Sequence, residues 1–347
     1  IPINQETYLM SNMVPQAPDN NQGPWANLEG DLRTIADGGN ELYIISGPLG
    51  VGGVGSANGN TVNTIANGHV TVPSSTWKVA LVLPSGSADD VSRVTCSTRT
   101  IAVLMPNVQG IRNTPWQNFL TTVDAIEQAT GYDLYSNLPP AVQACVEAGT
   151  NGTNPPGTAD QSANTTEDNA VTVTLQALQA NNNTLTFSIV NGPTSGSLGS
   201  VSAASCSSGT CTATVTYTPA ADFNGSDSFT FRASDGSVNS NTSTVSLGVS
   251  EVNDSPSAVD DSKSTDEDTQ LSFAASDLTG NDSAGPTNES GQTLTVSSVT
   301  ATANTHGTVS LNSGQVLYNP DGNFNGPASF SYQVCDNGTT NSAPDSK

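Results

Sequence analysis

One block of this sequence is written twice, and the duplication limits the chain to modular folds. Thr166-Glu167-Asp168-Asn169 returns 100 residues later as Asp266-Glu267-Asp268-Thr269. Tyr217-Thr-Pro-Ala-Ala-Asp-Phe-Asn-Gly-Ser-Asp-Ser-Phe-Thr-Phe231 returns after 101 residues as Tyr318-Asn-Pro-Asp-Gly-Asn-Phe-Asn-Gly-Pro-Ala-Ser-Phe-Ser-Tyr332. Between these marks lie VTVTL (171–175), TLTFSIV (184–190), TATVTYTP (212–219) and STVSLGV (243–249). Apolar and polar residues alternate in them, so each presents one face to a core and one to water. Short alternating strands in units of about 100 residues predict β-sandwiches. The units are placed at 161–254 and 255–347. The second lacks a counterpart of STVSLGV after Tyr332, so it is expected to be cut short at its C-terminal side.

Residues 1–148 carry a different pattern, mixed α and β. Pro24 suits a first helical position, and Trp25, Leu28, Leu32 and Ile35 recur at helical spacing up to Gly38-Gly39. ELYIISG (41–47), TWKVALVLP (76–84) and RTIAVLMP (99–106) read as buried strands. Residues 115–129 read as a second helix with Phe119, Leu120, Val123 and Ile126 on one face. Residues 149–160 show no periodicity and read as a linker.

Charge excludes one class of protein. Lys and Arg number 8 against 31 Asp and Glu, a formal net charge of −23. Residues 151–347 hold 19 of those acids against 3 bases, so the repeats repel phosphate backbones unless cations intervene. No apolar run approaches the roughly 18 residues that span a membrane. Cys206 and Cys211 are spaced to close a tight hairpin as a disulfide, Cys96 and Cys145 are available to pair with each other, and Cys335 is left over. Disulfides place a chain outside the cytoplasm, so an extracellular or cell-surface location is expected. No Cys-x-x-Cys pair is present, and only His69 and His306 could assist zinc binding, which argues against a structural zinc site.

The segment Tyr8-Leu-Met-Ser-Asn12-Met-Val-Pro-Gln16, Asn20-Asn21-Gln22-Gly23-Pro24-Trp25, Leu28-Glu29 and Arg33 runs from a short strand through a turn into a helix. Asn21 stands at the helix mouth, where an amide oxygen can cap or ligate. Glu29 and Arg33 share a helix face. From the residues alone, the favoured reading of these positions is a capping Asn and a surface i,i+4 ion pair, since such pairs are common.

The same residues closely resemble the non-specific DNA/RNA endonucleases of the ββα-metal, or His-metal finger, type. The likeness runs from about Glu6 to Val146 through LMSNMVPQAPDNNQGPW, YIISGPLG (43–50), VPSSTWKVALVLP (72–84), AVLMPN (102–107) and AIEQATGYDLYSNLP (125–139). It implies a multi-domain chain: an α+β ββα-metal nuclease domain over 1–148, then two all-β Ig/cadherin-like sandwiches. It implies that Asn21 ligates a catalytic Mg2+ (or Mn2+) and that Glu29 holds metal-bound water. Arg33 would contact the phosphate, and Asn12 would support the site. The substrates implied are DNA and RNA. The family's Asp-Arg-Gly-His motif, source of the general-base His, would lie roughly twenty residues before Asn12 and is not among these residues. The expectation is a chain truncated at its N-terminal side that hydrolyses little by itself.

The acids of the repeats form a second set. Glu251-Val-Asn253-Asp254-Ser-Pro256 is followed by Asp260-Asp261 and Asp266-Glu267-Asp268, seven acids between 251 and 268. This junction resembles that of cadherin-like and bacterial Ig-like tandem repeats. The resemblance implies calcium held by Glu167, Asp168, Asn253, Asp254, Asp260, Asp261, Glu267 and Asp268; a solvated acidic linker is the competing reading. Asp235 reads as a turn residue. Cell-surface or matrix contact through the repeats is expected. The alternative to a secreted nuclease is a calcium-binding adhesion or structural protein with an inert nuclease-like domain.

Overall fold

A computed structural model describes residues 13–55, 59–180 and 183–338. The chain divides into two compact units. One comprises 1–163, 172–217 and 228–246, the other 164–171, 218–227 and 247–347.

The N-terminal region runs α1 (Pro18–Asn21), α2 (Pro24–Asp37), β1 (Asn40–Leu49), β2 (Thr64–Ile65), β3 (Val70–Thr71) and β4 (Ser75–Pro84). It continues with α3 (Asp90–Arg93), β5 (Arg99–Pro106), β6 (Leu120–Thr121), α4 (Val123–Thr130) and α5 (Pro140–Ala148). Its sheet has the order β1-β4-β5-β6. Alternation along β4 explains the layering. Ala80 and Val82 pack on Trp25, Leu28 and Leu32 of α2. Trp77 and Val79 pack on Val123 and Ile126 of α4, and Leu81 and Leu83 on Val142 and Val146 of α5. Helices cover both faces, so β4 and β5 are continuous apolar runs.

Two expectations change here. The 41–47 strand forms, but among the described residues it pairs with β4 alone, and Tyr43, Ile44 and Ile45 are exposed. An apolar strand registers burial only when both its faces are covered, and β1 is not. The 115–129 helix is broken. Trp116–Phe119 is a 3-10 turn, β6 follows, and α4 starts only after Thr122, whose hydroxyl accepts from Ala125 N at 3.1 Å. Phe119 and Leu120 join the α2 side of the sheet, whereas Val123 and Ile126 lie on the opposite side. The chain crosses the sheet edge between them, which one helix face cannot do.

The stretch 149–160 is packed rather than loose. Asn154 is buried, and its Nδ2 donates to the carbonyls of Cys96 at 2.6 Å and Thr98 at 2.8 Å. A disulfide joins Cys96 to Cys145, as their availability allowed.

The first repeat holds β7 (Gly157–Thr158), β8 (Gln161–Thr166), β9 (Val171–Leu178), β10 (Thr186–Asn191), β11 (Gly196–Leu198), β12 (Ser205–Ser207), β13 (Thr210–Pro219), β14 (Gly225–Ser234) and β15 (Ser243–Ser250). They lie in two sheets, β10-β14-β15-β8 and β11-β13-β9-β7, with β12 on β13. Tyr217, Phe229 and Phe231 are fully buried, as the alternation predicts. The Cys206–Cys211 disulfide closes the β12–β13 hairpin at directly opposed positions.

The second repeat holds β16 (Leu271–Ala274), β17 (Thr295–Ala301), β18 (Gly307–Asn312), β19 (Gln315–Pro320) and β20 (Phe330–Cys335). Its sheets are β16-β19-β18 and β17-β20, and Phe273, Leu278 and Val316 fill its core with Phe330 and Tyr332 against them. Cys335 is a free thiol.

Candidate functional site

The segment before α2 is held by buried polar side chains. Asn107, just beyond β5, is buried. Its Oδ1 accepts from Ala17 N at 2.6 Å, and its Nδ2 donates to Pro15 O at 3.0 Å and Pro73 O at 2.8 Å. Asn20 on α1 is also buried and donates to Thr76 Oγ1 of β4 at 3.1 Å. Asp19 accepts from Gly110 N at 2.8 Å and Arg112 Nε at 2.9 Å. The Gly110 amide, then Arg112, holds the Asp19 carboxyl below its ordinary value. With its neighbours anchored, Asn21 closes α1 and stands exposed.

Gly23 separates α1 from α2 at a point of close approach. A Cβ there would lie 2.3 Å from Asp19 O and 2.6 Å from the Arg112 backbone. Helix α2 then carries Glu29 and Arg33 outward, both exposed. They are one turn apart, but no ion pair joins them among the described residues. Glu29 Oε1 accepts from Lys78 Nζ at 2.8 Å, and Lys78 lies 4.2 Å from the Trp25 ring centroid. The Lys78 side chain is 6% exposed, so its charge is nearly desolvated and depends on Glu29 and the ring face. Asn12 lies outside the described residues.

Asn21 offers an exposed amide oxygen and Glu29 an exposed carboxylate. Each is the kind of hard oxygen donor that magnesium takes, few of which it needs because it keeps most of its waters. Sequence reasoning missed Lys78, Asn20 and Asn107. The signal for Lys78 was present: a lysine inside an apolar strand must find a counter-charge. His69 is exposed between β2 and β3, and His306 is exposed and stacked on Phe324 with centroids 4.3 Å apart.

In the repeats, only some of the expected acids converge. Asp168, Asp222 and Asp254 place carboxylate oxygens within 4.8 Å of one another. Asp222 was not anticipated, although it stands two residues before Asn-Gly in the duplicated block. Asp168 Oδ1 accepts from Asp222 N at 3.4 Å, and the equivalent Asp268 Oδ1 accepts from Asn323 N at 2.8 Å. All four residues have φ between 56° and 59°, a left-handed conformation that Asp and Asn tolerate. Glu167 is buried, and its carboxylate accepts from Val252 N. Glu289 is buried and accepts from Asp254 N at 2.8 Å, while its Oε2 has no partner. Burial first, then Asp254, raises the carboxyls of Glu167 and Glu289. Asn253 donates to Asp336 Oδ1 at 3.3 Å. Asp260, Asp261, Glu267 and Asp268 are exposed and join no three-acid cluster among the described residues; Asp261 instead accepts from the Tyr332 hydroxyl at 3.3 Å. Asp235 makes the expected turn, accepting from Ser237 N at 2.8 Å and Val238 N at 2.9 Å.

The profile of the DNA/RNA non-specific endonuclease family matches residues 3–141, and that of the bacterial Ig domain matches 153–248 and 253–344. A nuclease of Nostoc sp. is 41% identical over 145 residues, 42% of this chain and 48% of that protein. The nuclease of Serratia marcescens is 30% identical over 141 residues, covering 40% and 47%. Human mitochondrial endonuclease G is 29% identical over 136 residues, covering 38% and 42%. The chain thus spans about half the length of these relatives. Among solved structures, the complex of EndoG with EndoGI aligns at 25% identity and a TM-score of 0.30, over 39% of this chain and 52% of that one. No helix among the described residues is long and apolar enough to cross a membrane.

Proposed function

Because the chain belongs to the bacterial Ig-domain family and carries a DNA/RNA non-specific endonuclease domain ahead of those repeats, we propose that it acts on nucleic acid phosphodiesters with a divalent metal outside the cytoplasm. One observation carries this reading: Asn21 is exposed at the end of an anchored α1, directly before a helix that presents Glu29 and Arg33 one turn apart. Asn21 would hold Mg2+ or Mn2+ through its amide oxygen, and Glu29 through water. A bound divalent ion supplies positive charge that stabilises charge developing on the phosphate and leaving oxygen. Arg33 gives the phosphate a planar two-pronged donor. Lys78 fixes the direction of the Glu29 carboxylate by pairing with it at 2.8 Å. Asn12 supports the site.

The two imidazoles of this sequence, His69 and His306, are both exposed. Cleavage that proceeds without a general base would be slower by about 100- to 10,000-fold. The test is nicking of supercoiled plasmid, and degradation of RNA, in Mg2+ with and without added imidazole. Cleavage should be slow, stimulated by imidazole, and abolished by chelator or by Asn21→Ala. Cleavage indifferent to chelator and to Asn21→Ala overturns the assignment.

For the repeats we propose calcium at Asp168, Asp222 and Asp254, supported by the convergence of their carboxylate oxygens within 4.8 Å of one another. Calcium takes six to eight oxygens and tolerates irregular geometry, which suits this set. Bound calcium would also screen the acidic repeats from the nucleic acid. Two disulfides support an oxidising, extracellular setting. Contact with a cell surface or matrix is the role we assign to the repeats.

A further inference from the structure

A second group of acids lies in the nuclease domain on elements the proposed reaction does not use. Asp124 and Glu127 occupy adjacent turns of α4, and Glu147 stands in the last turn of α5. Their carboxylate oxygens lie within 4.8 Å of one another. No ion pair reaches any of the three among the described residues, and the last turn of α5 holds no basic residue. A carboxylate at a helix C-terminus meets the negative end of the helix dipole, so the placement is unfavourable by itself.

Glu147 supplies the independent observation. It is only 6% exposed, and its Oε1 has no hydrogen-bond partner. A buried, unpartnered carboxylate oxygen is costly unless a proton or a cation meets it. Glu147 lines a cavity of about 470 Å3 together with Asp124, Gln143, Asn239 and Asn241, which offer further oxygen donors. Glu127 commits its Oε1 to Leu134 N at 2.6 Å, which fixes its carboxylate in place. In the absence of an ion, burial pushes the Glu147 carboxyl up to about 7; the Gln143 amide opposes the shift, and Glu127, Asp124 and Asp133 add to it. Burial likewise raises Asp124 and Glu127.

From this geometry we propose a calcium site formed by Asp124, Glu127 and Glu147 that ties α4 to α5. Oxygens around a calcium ion sit at about 2.3–2.6 Å from it and so up to roughly 5 Å from one another. The three carboxylates therefore reach a common ion without moving the helices. Magnesium prefers fewer protein oxygens and keeps its waters, so a carboxylate cage favours calcium. The ion neutralises three clustered charges and gives Glu147 Oε1 the partner it lacks. It lies apart from Asn21, Glu29 and Arg33, and its role is to hold the helical layer behind the sheet.

The test uses the full chain carrying Asn21→Ala, Asp168→Asn and Asp222→Asn, which silences the other metal-binding positions. Terbium is titrated in and its luminescence followed on excitation of tyrosine. Tyr135 is close enough to Glu147 and Glu127 that, after burial, their charges help raise its phenol. The expected result is one saturable site, displaced by calcium chloride, whose occupancy raises the melting temperature of the nuclease domain. Glu147→Gln, isosteric, and Asp124→Asn, at an exposed position, should each weaken calcium by about tenfold or more. Absence of sensitised binding at millimolar calcium, or binding that both substitutions leave unchanged, overturns the proposal.

Discussion

Replacing Asn107 tests how the site is held. The side chain makes three hydrogen bonds, to Ala17 N at 2.6 Å, Pro15 O at 3.0 Å and Pro73 O at 2.8 Å. Each contributes about 0.5–1.5 kcal/mol net, so Asn107→Ala should cost about 3 kcal/mol. In a domain of this size, that lowers the melting temperature by roughly 6–12 °C. Asn107→Asp is the sharper perturbation. It keeps shape and the acceptor for Ala17 N, but it aims a carboxylate at two carbonyl oxygens. At pH 7 the Asp variant should lose as much as the Ala variant, and it should recover part of the loss on acidification as the carboxyl gains a proton to donate. Calorimetry of the full chain measures the nuclease transition, and metal-dependent nicking well below that transition reports on Asn21. If Asn107→Asp is within about 0.5 kcal/mol of the parent at pH 7, the three-bond account is wrong.

Further outcomes follow from other contacts. Lys78→Met should leave Glu29 without its partner and reduce metal-dependent cleavage more than stability, because a methionine fills the same space against Trp25; unchanged cleavage removes Lys78 from the site. Calcium should raise the melting temperature of the repeats, and Asp168→Asn should reduce that gain, read by calorimetry with and without chelator. For Asp235, backbone amides of Val238 and then Ser237 hold the carboxyl below its ordinary value. Its contribution is therefore present above the unfolded value and lost as pH falls through the lower folded one. Asp235→Ala should cost about 1 kcal/mol at neutral pH, and less as acidification protonates the carboxyl.

Elements with a complete local signal were legible in the sequence. Helix α2 begins at Pro24 and ends before Gly38, where its punctuation stands, and β4 and β5 carry apolar runs bounded by Pro84 and Pro106. The Cys206–Cys211 hairpin and the duplicated strands were equally plain. What stayed hidden depended on partners distant in sequence. Burial of β1 turns on whether anything covers it. Asp222 matters only beside Asp168, and Glu147 only beside α4. The Glu29 partner was read as Arg33 because spacing sees neighbours along a helix, whereas Lys78 arrives from 49 residues away. Asn12 lies where the structure describes nothing.

The packed stretch after α5 has a mechanical consequence. Asn154 grips two carbonyls beside a disulfide, and Thr158 and Asn241 hold each other through side chain and backbone. Leu178 of the first repeat inserts beside Leu81 and Val142. The stretch is thus tied on both sides within one compact unit, to the sheet at Cys96 and Thr98 and to the strand region at Asn241, so it packs as part of that unit instead of acting as a tether.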